Sequence, residues 1–186
     1  MATIAISGSV AQRPGRAGHA WVFLSYLLGF RGLGFDVLLL DRLDAGMLDP
    51  AERGGGGRAS RGARWLVELM REAGLERSYC LLIDGERETV GLSRAEARSR
   101  LAASELLLDF NGFLEDEELL AAAPRRVYLD IDPGFAQMWE ELGLARPFDG
   151  YDDFVTVGAN VGTAGSGVPA GGRRWIPTRQ PVLLDR

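Results

Sequence analysis

The chain has 186 residues, 46% hydrophobic and 25% charged, enough for one α/β domain with a real core or two very small ones. Its formal net charge is -5 and its 21 basic residues are all arginine, a balance that argues against a nucleic-acid partner. The single cysteine, Cys80, has no mate for an internal disulfide and fits a reducing cytosol, the longest nearly apolar run (residues 17–30) is too short for a membrane span, and no signal peptide is expected.

In chain order, residues 4–7 read as a strand, 8–18 as a glycine-rich loop, 19–33 as a long helix and 35–41 as a second strand. That order belongs to a parallel sheet, because two parallel strands need a helical crossover. A loop over 42–60 follows, and its run of glycines at 54–57 predicts mobility. Leu66, Leu69, Met70 and Ala73 share one helical face, so 63–73 is a helix that Gly74 ends. Residues 79–84 form a third strand, and Ser93-Arg94-Ala95-Glu96 is a capping box opening a helix to about residue 101. Strands over 105–110, 126–131 and 154–157 alternate with helices over 115–123 and 133–142. Asp132 is the expected cap of the last helix, with Pro133 in its first position and Gly143 past its end. The chain closes with an extended segment, 175–184.

The inner strands are near-continuous apolar runs, which implies burial on both faces. The expected fold is therefore α/β: a doubly wound, mostly parallel, Rossmann-like sheet with helices on both sides, in a single domain over 1–186. Ligands of such sheets sit at the carboxyl ends of the strands.

The first loop delivers the only histidine, His19, to that edge. Its near-neutral pKa suits a general base, and the helix N-terminus beside it suits an anion or a polar ligand oxygen. A capping histidine without chemistry is the plainer alternative. Gly15-Arg16-Ala17-Gly18 falls short of the G-x-G-x-x-G fingerprint, and a chain without lysine has no Walker A motif. Asp130 and Asp132 could hold a divalent metal with a nucleotide sugar, but capping is the stronger reading of Asp132. Asp84-Gly85 and Asp109-Phe110-Asn111-Gly112 end strands at the same edge, as turn residues or as site groups that include a carboxylate to orient His19. Trp21, Phe23, Tyr26, Leu27, Leu28 and Phe30 make the first helix apolar nearly all round, so part of it faces the sheet and the rest meets another domain, a partner or an apolar substrate.

Four segments carry a resemblance. They are Ser7-Gly8 with Pro14-Gly15 and the run Gly18-His19-Ala20-Trp21-Val22-Phe23-Leu24-Ser25-Tyr26-Leu27-Leu28-Gly29-Phe30; the run from Val127 to Phe135; Asp152 to Gly158; and Trp175 to Val182. Together they resemble the N-terminal half of a bacterial group of GT-B glycosyltransferases. The likeness departs where the group tends to have Gly-Glu-Asn and this chain has Gly158-Ala159-Asn160, and where cysteines are usual in the loop that follows.

The resemblance implies a two-domain enzyme with a cleft between Rossmann-like halves. The N-terminal half takes the acceptor and the C-terminal half, fused or separate, holds the nucleotide-sugar donor. This chain then corresponds to the acceptor side, inactive alone and binding no cofactor of its own. Its partners are the second half and a small-molecule or glycan acceptor, in the cytoplasm. His19 takes the place of the base that deprotonates the acceptor hydroxyl, with Asp109 as the orienting aspartate. Gly18, Trp21, Asn111, Asp130 and Asn160 are the expected acceptor-binding residues. The alternative is a non-catalytic Rossmann-like binding module or partner subunit.

Overall fold

The structure, a computed structural model, describes residues 1–48, 57–83 and 88–184. The first three glycines of the 54–57 run and the Asp84-Gly85 turn lie outside the described residues. The strands are β1 (Thr3–Gly8), β2 (Asp36–Leu43), β3 (Tyr79–Ile83), β4 (Glu88–Gly91), β5 (Leu106–Phe110), β6 (Arg126–Asp130), β7 (Asp153–Thr156) and β8 (Trp175–Pro177). The helices are α1 (Ala17–Gly32), α2 (Arg61–Glu72), α3 (Arg94–Ala102), α4 (Glu117–Ala122) and α5 (Phe135–Glu141).

One eight-stranded sheet contains all of these strands, in the order β4-β3-β2-β1-β5-β6-β7-β8. Every neighbouring pair is parallel except β3 with β4. The chain runs outward from β1 to one edge, then returns to the other side of β1 at β5. That reversal is a topological switch point, and it opens a crevice beyond the carboxyl ends of β1 and β5. The expected doubly wound Rossmann-like α/β fold is the observed one.

Alternation along the inner strands explains the two layers. Ile4 and Ile6 of β1, with Val37 and Leu39 of β2, join the core that α1 and α2 cover. Ala5, Leu38 and Leu40 point the other way, into a second core with Ala97 and Leu101 of α3 and Leu119 of α4. At the β8 edge a third cluster packs Tyr128, Phe148, Val161 and Trp175. Among the described residues, no helix is long and apolar enough to cross a membrane.

Three details differ from the sequence expectation. The antiparallel strand β4 is new; Leu81 pairs with Val90 and Leu82 with Thr89 across it. The closing segment contributes only Trp175–Pro177 as strand. Asp132 does not cap α5: the helix begins at Phe135, after Gly134, and the Gln137 side chain reaches back to accept from the Gly134 amide at 2.8 Å. The Asp130 carboxylate takes the Asp132 amide at 3.1 Å, which turns the backbone before a helix can start at Pro133. The capping box at Ser93 and Glu96 is present as expected, and α4 is capped by Asp116.

The β1–α1 loop is pressed against α2. A Cβ on Gly62 would lie 2.2 Å from the Ala11 carbonyl oxygen, a backbone atom that cannot swing away. Gly62→Ala is therefore expected to lower stability by about 1–3 kcal/mol in urea denaturation. Gly29→Ala, inside α1 with open space around it, is expected to raise stability by roughly 0.5–1 kcal/mol.

Candidate functional site

A cavity of about 530 Å³ lies at the switch point, lined by Ser9, Gln12, Arg13, Arg16, Gly18, His19, Asn111, Phe113, Ile131 and Asp132. Its walls come from the loops after β1, β5 and β6, three neighbouring strands of the sheet. His19 is the third residue of α1, half-buried, with its ring edge-on to Phe23 at 5.2 Å between centroids.

The imidazole is held by the loop it follows. His19 Nε2 lies 3.0 Å from the Ser9 carbonyl oxygen and 3.1 Å from Ser9 Oγ. A carbonyl oxygen only accepts, so Nε2 carries the proton and donates to it. The second ring nitrogen, Nδ1, has no hydrogen-bond partner among the described residues. Burial lowers the His19 pKa; the bond to Ser9 works against that, and the charges of Arg13 and Arg16 add to the lowering. The result at neutral pH is an uncharged ring with the lone pair on Nδ1, the state a general base requires.

Buried carboxylates shape the loops around this ring. Asp41, two residues before the end of β2, accepts from the Ala11 amide at 2.9 Å and from the Arg42 amide at 2.7 Å. It anchors the β1–α1 loop from below and is 1% exposed. Asp109 accepts from Ser7 Oγ, from Tyr151 Oη at 2.6 Å and from the Leu114 amide at 3.3 Å. Arg42 donates from Nε to the Phe113 carbonyl at 3.1 Å and pairs with Asp44 and Glu115. Asn111, the one non-glycine residue with positive φ (48°) among the described residues, accepts from the Ile131 amide at 3.0 Å. Asparagine tolerates that left-handed backbone, and its side chain here ties the β5 loop to the β6 loop.

The structure brings together His19, Gly18 and Asn111 from the expected set and adds Asp132 to the same wall. It does not bring the Asp109 carboxylate to the His19 ring: the bonds of Asp109 go to Ser7, Tyr151 and Leu114, and those of His19 to Ser9. Asp130 is 1% exposed, and its oxygens accept from Gln137, Thr156 and the Asp132 amide. It reaches a neighbouring cavity of about 400 Å³ that shares Asn111, Phe113 and Asp132 with the first. Trp21 lines a separate apolar groove between α1 and α2. Asn160 sits exposed in the loop after β7, where its carbonyl accepts from Thr163. Sequence reasoning missed Ser9 as the partner of the ring and Asp41 as the anchor of its loop, and it read Asp132 as a cap or metal ligand and not as part of this wall. A serine two residues before the loop turns, and an aspartate ending the second strand, were the available signals.

No protein-family model matches the chain, and a search of curated proteins finds no match to it.

The buried carboxyls set the pH response. Burial raises Asp41 from 3.8 to about 7 and Asp109 to about 6, against the opposing pull of their hydrogen bonds, and it raises Asp130 as well. In the unfolded chain these groups release their protons near their ordinary value. Between that value and about pH 7 the native state therefore holds more protons, and stability rises as pH falls through the window. His19, lowered by burial, acts in the opposite sense below its ordinary 6.5. The expected outcome is a higher denaturation midpoint at about pH 5 than at about pH 8, with a smaller difference in Asp41→Asn.

Proposed function

We propose that this chain is the acceptor side of a glycosyltransferase, with His19 as the base. The observation that carries the reading is the His19 ring itself: neutral, anchored through Nε2, and with its Nδ1 lone pair unclaimed beside a cavity at the switch point of the sheet. The resemblance of the His19 segment to GT-B acceptor halves supports the same role. In this reading an acceptor hydroxyl binds in the cavity and gives its proton to Nδ1. The hydroxyl oxygen then attacks the anomeric carbon of a nucleotide sugar, and the nucleoside diphosphate departs with the electron pair of the broken bond. The donor is held by a second Rossmann-like half, fused or separate, facing the carboxyl edge.

Asp109 enters this proposal as a positioning residue. Its bonds to Ser7 and Leu114 hold the strand that precedes Ser9 and the loop that presents Asn111 and Phe113. Gly18 and Asn111 contribute to the acceptor wall directly, and Asp130 supports it from beneath. The buried, unpaired Cys80 suits a cytoplasmic setting.

The test joins the chain to a donor-binding half and follows transfer from a panel of nucleotide sugars. The wild-type pair is expected to turn over, the chain alone to transfer nothing, and His19→Ala to lose roughly two to four orders of magnitude in kcat. Turnover that survives His19→Ala removes the base assignment. Acceptor binding with no transfer in any pairing favours a non-catalytic binding module.

A further inference from the structure

We propose that the acceptor is an anionic hydroxylated molecule whose carboxylate or phosphate group is held by Arg13 and Arg16; this rests on the acceptor-side reading of the same cavity. Both arginines line the cavity with His19. They stand three residues apart on a tight turn, in which the Arg16 amide donates to the Arg13 carbonyl at 3.2 Å. Neither guanidinium has an ion-pair or hydrogen-bond partner among the described residues. Two guanidiniums without a carboxylate partner thus stand together on the wall of one cavity. Elsewhere Arg42, Arg94 and Arg173 are each engaged by acidic side chains.

The surroundings match a planar or tetrahedral anion. Arginine forks bind carboxylate and phosphate oxygens in pairs. Helix α1 starts at the same place with no side-chain cap and no acidic residue in its first turn, so its positive end reinforces the arginines. The other charged group on the wall is Asp132, from the loop after β6. Strands β1 and β6 are two positions apart in the sheet, roughly 10 Å. The cavity is thus positive on the β1 side and negative on the β6 side. An anionic group at the arginines leaves the hydroxylated body of the molecule between His19, Asn111 and Asp132.

The lone histidine makes the proposal measurable without any sugar transfer. An anion that neutralises Arg13 and Arg16 removes two charges that hold the His19 pKa down, so its midpoint rises. The experiment follows the His19 ring resonances of the full chain by NMR during pH titration. The probes are inorganic phosphate, glucose 6-phosphate, glucuronate, uncharged glucose and UDP. Glucose 6-phosphate and glucuronate are expected to bind saturably and raise the midpoint, while glucose at equal concentration does neither. Arg13→Gln/Arg16→Gln is expected to weaken both anionic sugars by about tenfold or more, and Arg13→Lys/Arg16→Lys to recover only part of that loss, since lysine keeps the charge without the fork.

No saturable effect of the anionic sugars, or an equal effect in the glutamine variant, overturns the proposal. So does tight UDP binding without response to the anionic sugars, because the anion would then belong to a donor. Stronger binding of inorganic phosphate than of either anionic sugar also overturns it, since the sugar body would add nothing. These readouts do not depend on turnover. Loss of transfer in His19→Ala with no anion effect leaves the acceptor-side reading standing and removes this one alone.

Discussion

The Asp109 carboxylate is the interaction on which the switch point depends. It sits at the carboxyl end of β5 with no exposure to solvent, and it gathers Ser7 from β1, Leu114 from its own following loop and Tyr151 from the segment before β7. Ser7 Oγ in turn accepts from the Phe110 amide at 3.0 Å, closing a ring of bonds between the two strands that flank the crevice. Parallel strands whose crossovers diverge share no loop, so nothing in the chain connectivity holds their ends together. A buried carboxylate that accepts from several donors does so, at a desolvation cost visible in its raised pKa. The loop bearing Ser9 and His19 and the loop bearing Asn111 and Phe113 take their positions from this tie.

Asp41 does the equivalent on the other side of β1. In many Rossmann-like sheets an acid at the end of the second strand is free to meet a ribose. Here both oxygens are committed to backbone amides, one of them in the β1–α1 loop. The geometry that a dinucleotide would use is instead spent on fixing the loop, in keeping with the missing glycine fingerprint at residues 15–18. Gly62 completes the clamp from α2, since only a residue without Cβ lets that helix approach the Ala11 carbonyl.

Much of the fold was legible because its signals are local. The apolar runs of β1, β2, β3, β5 and β6 announce strands buried on both faces, and Ser93 with Glu96 forms its capping box within four residues. What escaped was set by tertiary partners. β4 has one exposed glutamate, a threonine, a valine and a glycine, and becomes a strand only because β3 offers an open edge. The pattern Asp132-Pro133 is a fair helix start in isolation; the Asp130 carboxylate and the reach of Gln137 moved that start to Phe135. In the candidate site, His19 and Asn111 were legible as strand-end residues. The separation of Asp109 from His19 was not, because the choice of Ser7 and Tyr151 as its partners depends on residues 102 and 42 positions away.

The same distinction bears on which groups are free for chemistry. Asp41, Asp109 and Asp130 are all nearly inaccessible, and each has its oxygens occupied by donors of the fold. A carboxylate in that position holds backbone and has little capacity left for a ligand. On the cavity wall the charged or ionisable groups that remain are Arg13, Arg16, Asp132 and the His19 imidazole. Its pKa is lowered by burial and by two arginines that lack a counter-ion, so the ring is least basic when the cavity holds no anion. An anion placed beside those arginines makes the same ring a stronger base. Charge at the two arginines and proton affinity at the imidazole are thereby coupled through the loop that carries both, and the coupling needs no movement of the sheet beneath it.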